Sequence, residues 1–407
     1  MANFTPGDVN IDLFAIISDN GYVTDLTVAG LSIYESIFTP GIVCDIAVFD
    51  NTDLIGRLRI SRGETVVLNI SIPATSQKAK YVFAIDSVND TVSTGSQKSK
   101  MYVLKCVSEE VLFAQTNMVE KNYLMLCSEM VKDIHENNVK SSKDLVLENT
   151  KGAQKILIPK VNPYGAIDLI KKISLSENDK SSLYSYFETR KDDKQIFKYV
   201  TIESLFNQDV VKAFKQSDAI NTDFTNQNYD NILSYKVDQN MSSIDTIKYA
   251  GARNTMSINL TTSKYESNIR YTDDTSYKSA GGKKSDLSTS FVNKYMKSNN
   301  PGYTFIPMSF SQIPDTKLIA NLADRQAYLS MLLQNSLRIR VYGDTVLTSG
   351  VMIDCDIPNK QSISGPITAD SLLSGKFLIT RIHHRIGMQV DRPRYTCIIE
   401  CIKGKYS

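Results

Sequence analysis

The sequence predicts a mainly β chain in which an α+β segment separates two β regions. Three observations predict it. Near the start, Val66, Leu68, Ile70 and Ile72 lie two apart, the period of a strand with one buried face. Beyond residue 117 the apolar spacing becomes helical, first at Tyr123, Cys127, Met130 and Ile134, then at Ile167, Ile170 and Ile173. From Leu337 onward, short apolar runs bounded by turn residues return. A chain of 407 residues is too long for one core and divides into about two to four domains.

Residues 1–117 read as all-β. Tyr81, Phe83 and Ile85 alternate with smaller residues, 101–106 form another apolar strand, and 45–50 suit a strand followed by a turn and a connector at 54–60. Turn signals stand at 50–53, at Arg62-Gly63 and around 89–95, a spacing that fits a sandwich or a small barrel. The α+β segment covers 118–218. A helix is expected over 123–134, and Pro163 opens a second, because proline fits a first helical turn. Strands follow at 183–188 and 195–200, then a connector or helical turn at 201–206.

Residues 219–262 return to strands, at 232–237, 245–249 and 255–260. The polar stretch 263–317 reads as a partly irregular surface insertion. Its Lys283-Lys284 pair is a phosphate contact or, as the default, part of a solvated loop. A helix over 318–333 carries a leucine stripe that suits a partner or its own domain. Strands close the chain at 337–342, 351–357, 375–383 and 394–403.

Net charge is +2, which gives no bulk attraction to nucleic acid or to an anionic membrane. Residues 1–21 contain three aspartates and no basic residue, unlike a signal peptide, and no apolar run suits a membrane helix. Six cysteines without a CxxC fit reduced thiols. Cys397 and Cys401 share a strand face as half a metal site or, as the default, as small core residues. The 21 tyrosines suit interfaces, and they also suit strands.

A catalytic constellation is not expected. The sequence lacks the nucleophile elbow, the phosphate-binding loop, the zinc-protease helix and the dinucleotide fingerprint. Glu109-Glu110 and Asp273-Asp274 are adjacent carboxylates, which do not face one another across a cleft and read as solvated surface. His383 and His384 point to opposite faces of a strand and read as polar strand-end residues, not joint metal ligands. No metal and no cofactor are expected.

Two stretches carry a resemblance. The first begins at Pro163-Tyr-Gly-Ala-Ile-Asp-Leu-Ile, continues through Phe187, Glu188, Thr189 and Arg190, and ends in Phe197 with Ser204, Leu205 and Phe206. The second runs from Gly375 to His383 and His384 and resumes at Tyr395-Thr396. A looser third match lies at 46–54 and 63–70. Together they resemble the baseplate hub proteins of T-even-like contractile-tailed phages, whose fold is shared with the N-terminal half of type VI secretion spike proteins.

The resemblance implies two small antiparallel β-barrels of tube type flanking an α+β domain. The first barrel would be 1–117, and the second 219–262 with 318–407, interrupted by a peripheral insertion at 263–317. It implies a homotrimeric ring in a virion, assembled in the host cytoplasm. Its partners would be a separate spike protein, tail tube or tube-initiator proteins, and wedge or tape-measure proteins, with DNA only in transit through the lumen. Rival readings are another tail protein, of the tube or receptor-binding kind, and a tail-associated cell-wall hydrolase. The segment Tyr184 to Phe206 is expected to be a folding element whose two faces are both covered. Glu188 and Arg190 share a strand face and are expected either to pair there, an exposed pair contributing about 0–1 kcal/mol, or to cap the turn at 191–194.

Overall fold

A computed structural model describes residues 5–19, 21–24, 26–51, 60, 62–75, 77–93, 99–177, 183–216, 229–238, 253–259, 264–270, 294, 302–307, 325, 336–359, 369–370, 373–388 and 393–403. Seven strands come first: β1 (Asn10–Ser18), β2 (Gly21–Val23), β3 (Thr27–Ser36), β4 (Val43–Asp50), β5 (Thr65–Ile72), β6 (Gln77–Ser93) and β7 (Lys100–Val107). Next are α1 (Glu109–Thr116), β8 (Val119–Met125), α2 (Cys127–Ile134), a π turn (His135–Val139), β9 (Leu145–Leu147), β10 (Gln154–Val161) and α3 (Pro163–Ile173). The hairpin β11 (Tyr184–Lys191) and β12 (Lys194–Thr201) leads into α4 (Ile202–Phe206). The rest is strands: β13 (Val210–Lys215), β14 (Ile232–Asp238), β15 (Arg253–Asn259), β16 (Lys264–Arg270), β17 (Gly302–Pro307), β18 (Ser336–Tyr342), β19 (Met352–Asp356), β20 (Gly375–Met388) and β21 (Pro393–Ile402). The chain is therefore mainly β.

The expected helix at 123–134 is shorter. Tyr123 belongs to β8, where it faces Ile156 of β10, and the helix starts at Cys127. Tyr123 and Cys127 both face the same core, so a strand residue completed an apparent helical period. The helix α1 went unread because Val111, Leu112 and Phe113 are adjacent rather than spaced along one face. Pro163 does open α3, with Asn162 as its cap, whose side chain accepts from the Gly165 amide at 2.7 Å. Thr201 caps α4 in the same way, through the Ser204 amide at 3.2 Å.

One sheet of 13 strands unites the two β regions. Its main path runs β14-β18-β21-β20-β3-β4-β7-β6-β5-β1-β2, and β19 and β13 extend from β20. The joint is the antiparallel pairing of β20 with β3, from Arg381 opposite Ser36 to Gly387 opposite Gly30. Strands that the sequence assigns to two regions thus share one hydrogen-bonded sheet, and among the described residues neither region closes into a separate barrel. One apolar core underlies both regions, with Ile33, Cys44 and Leu104 from the first and Ile339, Cys397 and Ile399 from the second.

The expected strand at 255–260 is present as β15, but it pairs with β16 and β17 and not with the large sheet. The polar stretch 263–317 therefore contains two strands and is not wholly irregular. The expected strand at 245–249, the connector at 54–59, Lys283-Lys284 and Asp273-Asp274 lie outside the described residues. So does the helix at 318–333, apart from Arg325, whose backbone is helical and whose guanidinium donates to the Lys171 carbonyl at the end of α3.

The α+β segment has its own core, formed by α2, α3 and one face of β11 and β12. β11 is buried on both faces, as its apolar pattern requires. Tyr184 and Tyr186 face the α+β core, while Phe187 enters a third cluster with Ile37, Leu205, Met352 and Leu378. Gly350 makes room for Phe187: its φ is +82°, and an added Cβ would lie 2.8 Å from the ring.

Phe197→Ala is expected to cost about 3–5 kcal/mol, because the ring is fully buried between His135 and Tyr186. Thermal unfolding followed by circular dichroism checks it, and a midpoint within a degree of the parent would contradict this packing.

Candidate functional site

Glu188, Arg190 and Tyr395 from the two resembling stretches meet in a buried polar seam between all three regions. Glu188 and Arg190 share a face of β11, as their spacing requires, but they do not pair with each other and they are not exposed. Glu188 is 1% exposed and Arg190 5%. The expectation of a solvated pair is overturned, because the packed sheet lies over that face of β11.

Glu188 is the centre of the first half of the seam. Its carboxylate lies 2.6 Å from the Lys143 ammonium and accepts from Gln195 Nε2 at 2.9 Å, from the Ile42 amide at 3.2 Å and from the Ser108 hydroxyl. Lys143 also holds Glu110 at 2.7 Å, and Ser141 donates to Glu110 at 2.7 Å. Glu110, read from sequence as solvated, is thus buried and paired. Gln195 accepts from the Val82 amide of β6 at 2.7 Å, a second tie to the first β region. Burial raises the Glu188 pKa, with Glu110 adding to the rise and Lys143 opposing it. Burial disfavours the Lys143 charge, but Glu188 and Glu110 outweigh it and raise the ammonium pKa.

Arg190 is the centre of the second half. Its Nε donates to the Tyr81 hydroxyl at 3.2 Å, one terminal nitrogen donates to the Asp192 carbonyl at 2.8 Å, and the other donates to the Thr345 carbonyl. Tyr81 passes the contact on by donating to Glu35 at 3.3 Å. Glu35 also accepts from the Ser349 amide at 3.0 Å and faces His384 Nε2 at 3.5 Å as an ion pair. The His384 Nδ1 lies 2.7 Å from the Tyr395 hydroxyl and 3.4 Å from Cys397 Sγ. Glu35 is on β3, Tyr81 on β6, Arg190 on β11, His384 on β20 and Tyr395 on β21. Five strands from three regions therefore meet around one set of charges.

Burial disfavours the Glu35 carboxylate, yet His384 and Arg190 outweigh it and lower the pKa. Burial also opposes the His384 charge, but Cys397 and Glu35 outweigh it and raise the imidazole to about 9. The histidines were read as strand-end residues, and both lie mid-strand in β20. His384 is buried in the seam, whereas His383 points to the other face and stacks on Tyr34 at 4.3 Å.

The other residues of those stretches are spread over the cores and the opposite sheet face. Thr189 donates to the Ser349 carbonyl at 2.8 Å. Phe187 and Leu205 fill the third core, and Phe206 packs against it. Phe197 fills the α+β core. Ser204 completes the cap of α4, and Gly375 starts β20 at φ +115°. Thr396 lies opposite Arg385 on the face away from the seam. Sequence reasoning missed Glu35, Tyr81, Ser108, Glu110, Lys143 and Gln195, which lie far apart along the chain. One signal was legible: Glu35 sits at an apolar strand position between Ile33 and Ile37. All six cysteines are free and buried, and no metal-ligand cluster occurs among the described residues.

No family model and no curated protein matches the chain. Solved structures do. A tail protein from Neisseria meningitidis MC58 aligns over 96% of this chain and 96% of its own, with a TM-score of 0.58 and 11% identity. The 43 kDa tail protein of prophage MuSo2 from Shewanella oneidensis aligns over 96% and 98%, with a TM-score of 0.56 and 8% identity. The chain shares the fold of these two tail proteins. A chain of a PdpA–VgrG complex also aligns, over 97% of this chain and 64% of its own, with a TM-score of 0.50 and 12% identity. The seam ties the three regions of this chain together.

Arg190→Ala is expected to cost about 3–5 kcal/mol, since it leaves Tyr81, Thr345 and the Glu35 charge with unmet buried groups. Denaturant unfolding checks it, and a loss below 1 kcal/mol would return Arg190 to the surface reading. The His384 pKa rises on folding from its ordinary value of 6.5 to about 9, so its contribution is complete below pH 6.5 and is lost as pH climbs toward 9. The thermal midpoint of the parent should fall across that window more steeply than that of His384→Gln. Parallel curves would refute the ion pair.

Proposed function

We propose that this chain is the baseplate hub subunit of a contractile phage tail, a structural virion protein with no catalytic role. In this reading three copies form a ring that joins the central spike to the tail tube. The observation that carries the proposal is end-to-end similarity of fold to two phage tail proteins of matching length. The build of the chain supports it. Two β regions joined in one sheet, with a seam that fixes the α+β segment to both, make a rigid block suited to load-bearing assembly. The tube-type barrels of the hub reading would then be completed between subunits, which is how one chain presents two similar β units per subunit to a six-fold partner.

The partners in this reading are two further copies, a spike protein, and tail tube or tube-initiator proteins, with wedge or tape-measure proteins as outer neighbours. The stretch 263–317 belongs at the periphery, and the pairing of β15, β16 and β17 apart from the large sheet supports that place. The charged groups of the seam are spent on one another and on backbone, which supports a structural role over hydrolysis.

Analytical ultracentrifugation of the purified protein, alone and with its spike, is expected to give three copies per particle. One or two copies per intact tail would overturn the ring. Clearing of a cell-wall zymogram by the purified chain would instead favour the hydrolase reading.

A further inference from the structure

The face of the large sheet turned away from the seam carries an uneven charge. Directly opposite residues on neighbouring strands share a face, so the pairing register places side chains across the joint between the regions. One row runs Ser36, Arg381, Glu400, Arg338 and Lys236 across β3, β20, β21, β18 and β14. The next runs Tyr34, His383, Ile398, Arg340 and Ser234, and a third runs Ser32, Arg385, Thr396 and Tyr342. Within these rows stand Arg338, Arg340, Arg381, Arg385 and Lys236, with Glu400 as the only carboxylate. Within these rows five cations stand against one anion, a balance of +4, and the third row continues on β4 to Asp45, opposite Ser32.

Glu400 is shared, lying 2.5 Å from Arg338 and 3.2 Å from Arg381, so one carboxylate serves two guanidinia. Arg340 and Arg385 are exposed and have no ion-pair or hydrogen-bond partner among the described residues. Burial lowers the pKa of His383, between Arg381 and Arg385, as do the charges of His384 and Arg385, with Asp45 opposing. Aromatic side chains interleave with the cations: Tyr34 stacks on His383, and Arg381 lies over Phe38 at 5.6 Å.

We propose that this face binds the phosphate backbone of duplex DNA without regard to sequence. Four of the five cations are arginines, whose planar forks suit phosphate oxygens. Residues two apart on a strand lie about 6.6 Å apart and neighbouring strands about 4.8 Å, so the cations form a closely spaced lattice. A rigid, evenly charged rod meets such a lattice over many phosphates, whereas a flexible acidic peptide must lose chain entropy to do so. All five cations lie on strands of the second β region, and β3 adds Tyr34 and two serines at their border. The proposal rests on the tail-protein reading only for its biological setting, a protein on the path of a phage genome. The binding itself needs one folded chain and no ring.

Fluorescence anisotropy of a labelled random-sequence 20-base-pair duplex, titrated with the full chain in low salt, tests the proposal. Binding is expected, weakening with salt at a log–log slope of about −3.6 to −4.5 if four or five phosphates are neutralised. The double variant R340E/R385E is expected to weaken binding at least tenfold with an unchanged circular dichroism spectrum. A second variant, Lys121→Glu, removes a cation from a different sheet and is expected to bind as the parent does. No binding at low salt, equal binding by the double variant, or equal competition by polyglutamate at matched charge would each overturn the proposal. A chain that binds DNA but sediments as a monomer would sink the ring and leave this inference standing.

Discussion

A carboxylate or guanidinium taken from water into a protein interior is tolerated only where fixed partners replace its solvation. The strand β11 takes one of each inside, Glu188 and Arg190, two residues apart on one face. Neither finds its partner within the hairpin alone. Glu188 needs Lys143 from its own segment and Ser108 and Ile42 from the first β region. Arg190 needs Tyr81 from the first region and Thr345 from the second. Leaving out any one region would strand a buried charge, so the three regions are satisfied only together.

That requirement shapes the rest of the molecule. The β20–β3 pairing supplies the backbone joint, and the Glu35–His384 pair lies beneath it. Because β3 and β20 are both central in the sheet, the joint has no free edge at which to slide. Register is specified from both faces, by the apolar core on one side and by matched rows such as Tyr34 against His383 on the other. Buried ion pairs add little net stability compared with apolar packing of equal volume. Their contribution here is to select one arrangement among the many that apolar surfaces alone would accept.

The elements legible in the sequence share a physical trait: their signal is local. Val66 to Ile72 alternates because one face of β5 is buried, and Pro163 with Asn162 marks a helix start through its own amides. The burial of both faces of β11 was also legible, because Tyr184, Tyr186 and Phe187 cannot all be turned to one side. Tyr123 misled because a strand residue and a helix residue that pack on one core mimic a helical period. Helix α1 was invisible because its inward positions are Glu110 and Ala114, and only the distant Lys143 makes Glu110 an interior residue.

Composition, periodicity and turn chemistry by themselves determined that this chain is mainly β, where most strands lie, and that both faces of β11 are covered. These properties depend on residues a few positions apart. Tertiary structure alone decided that the two β regions form one sheet, that Glu188 and Arg190 are interior charges with different partners, and that His384 is an ion-paired core residue while His383 is not. Those outcomes depend on groups separated by tens to hundreds of residues, and a charged residue carries no mark in its own neighbourhood of whether a partner waits for it across the fold.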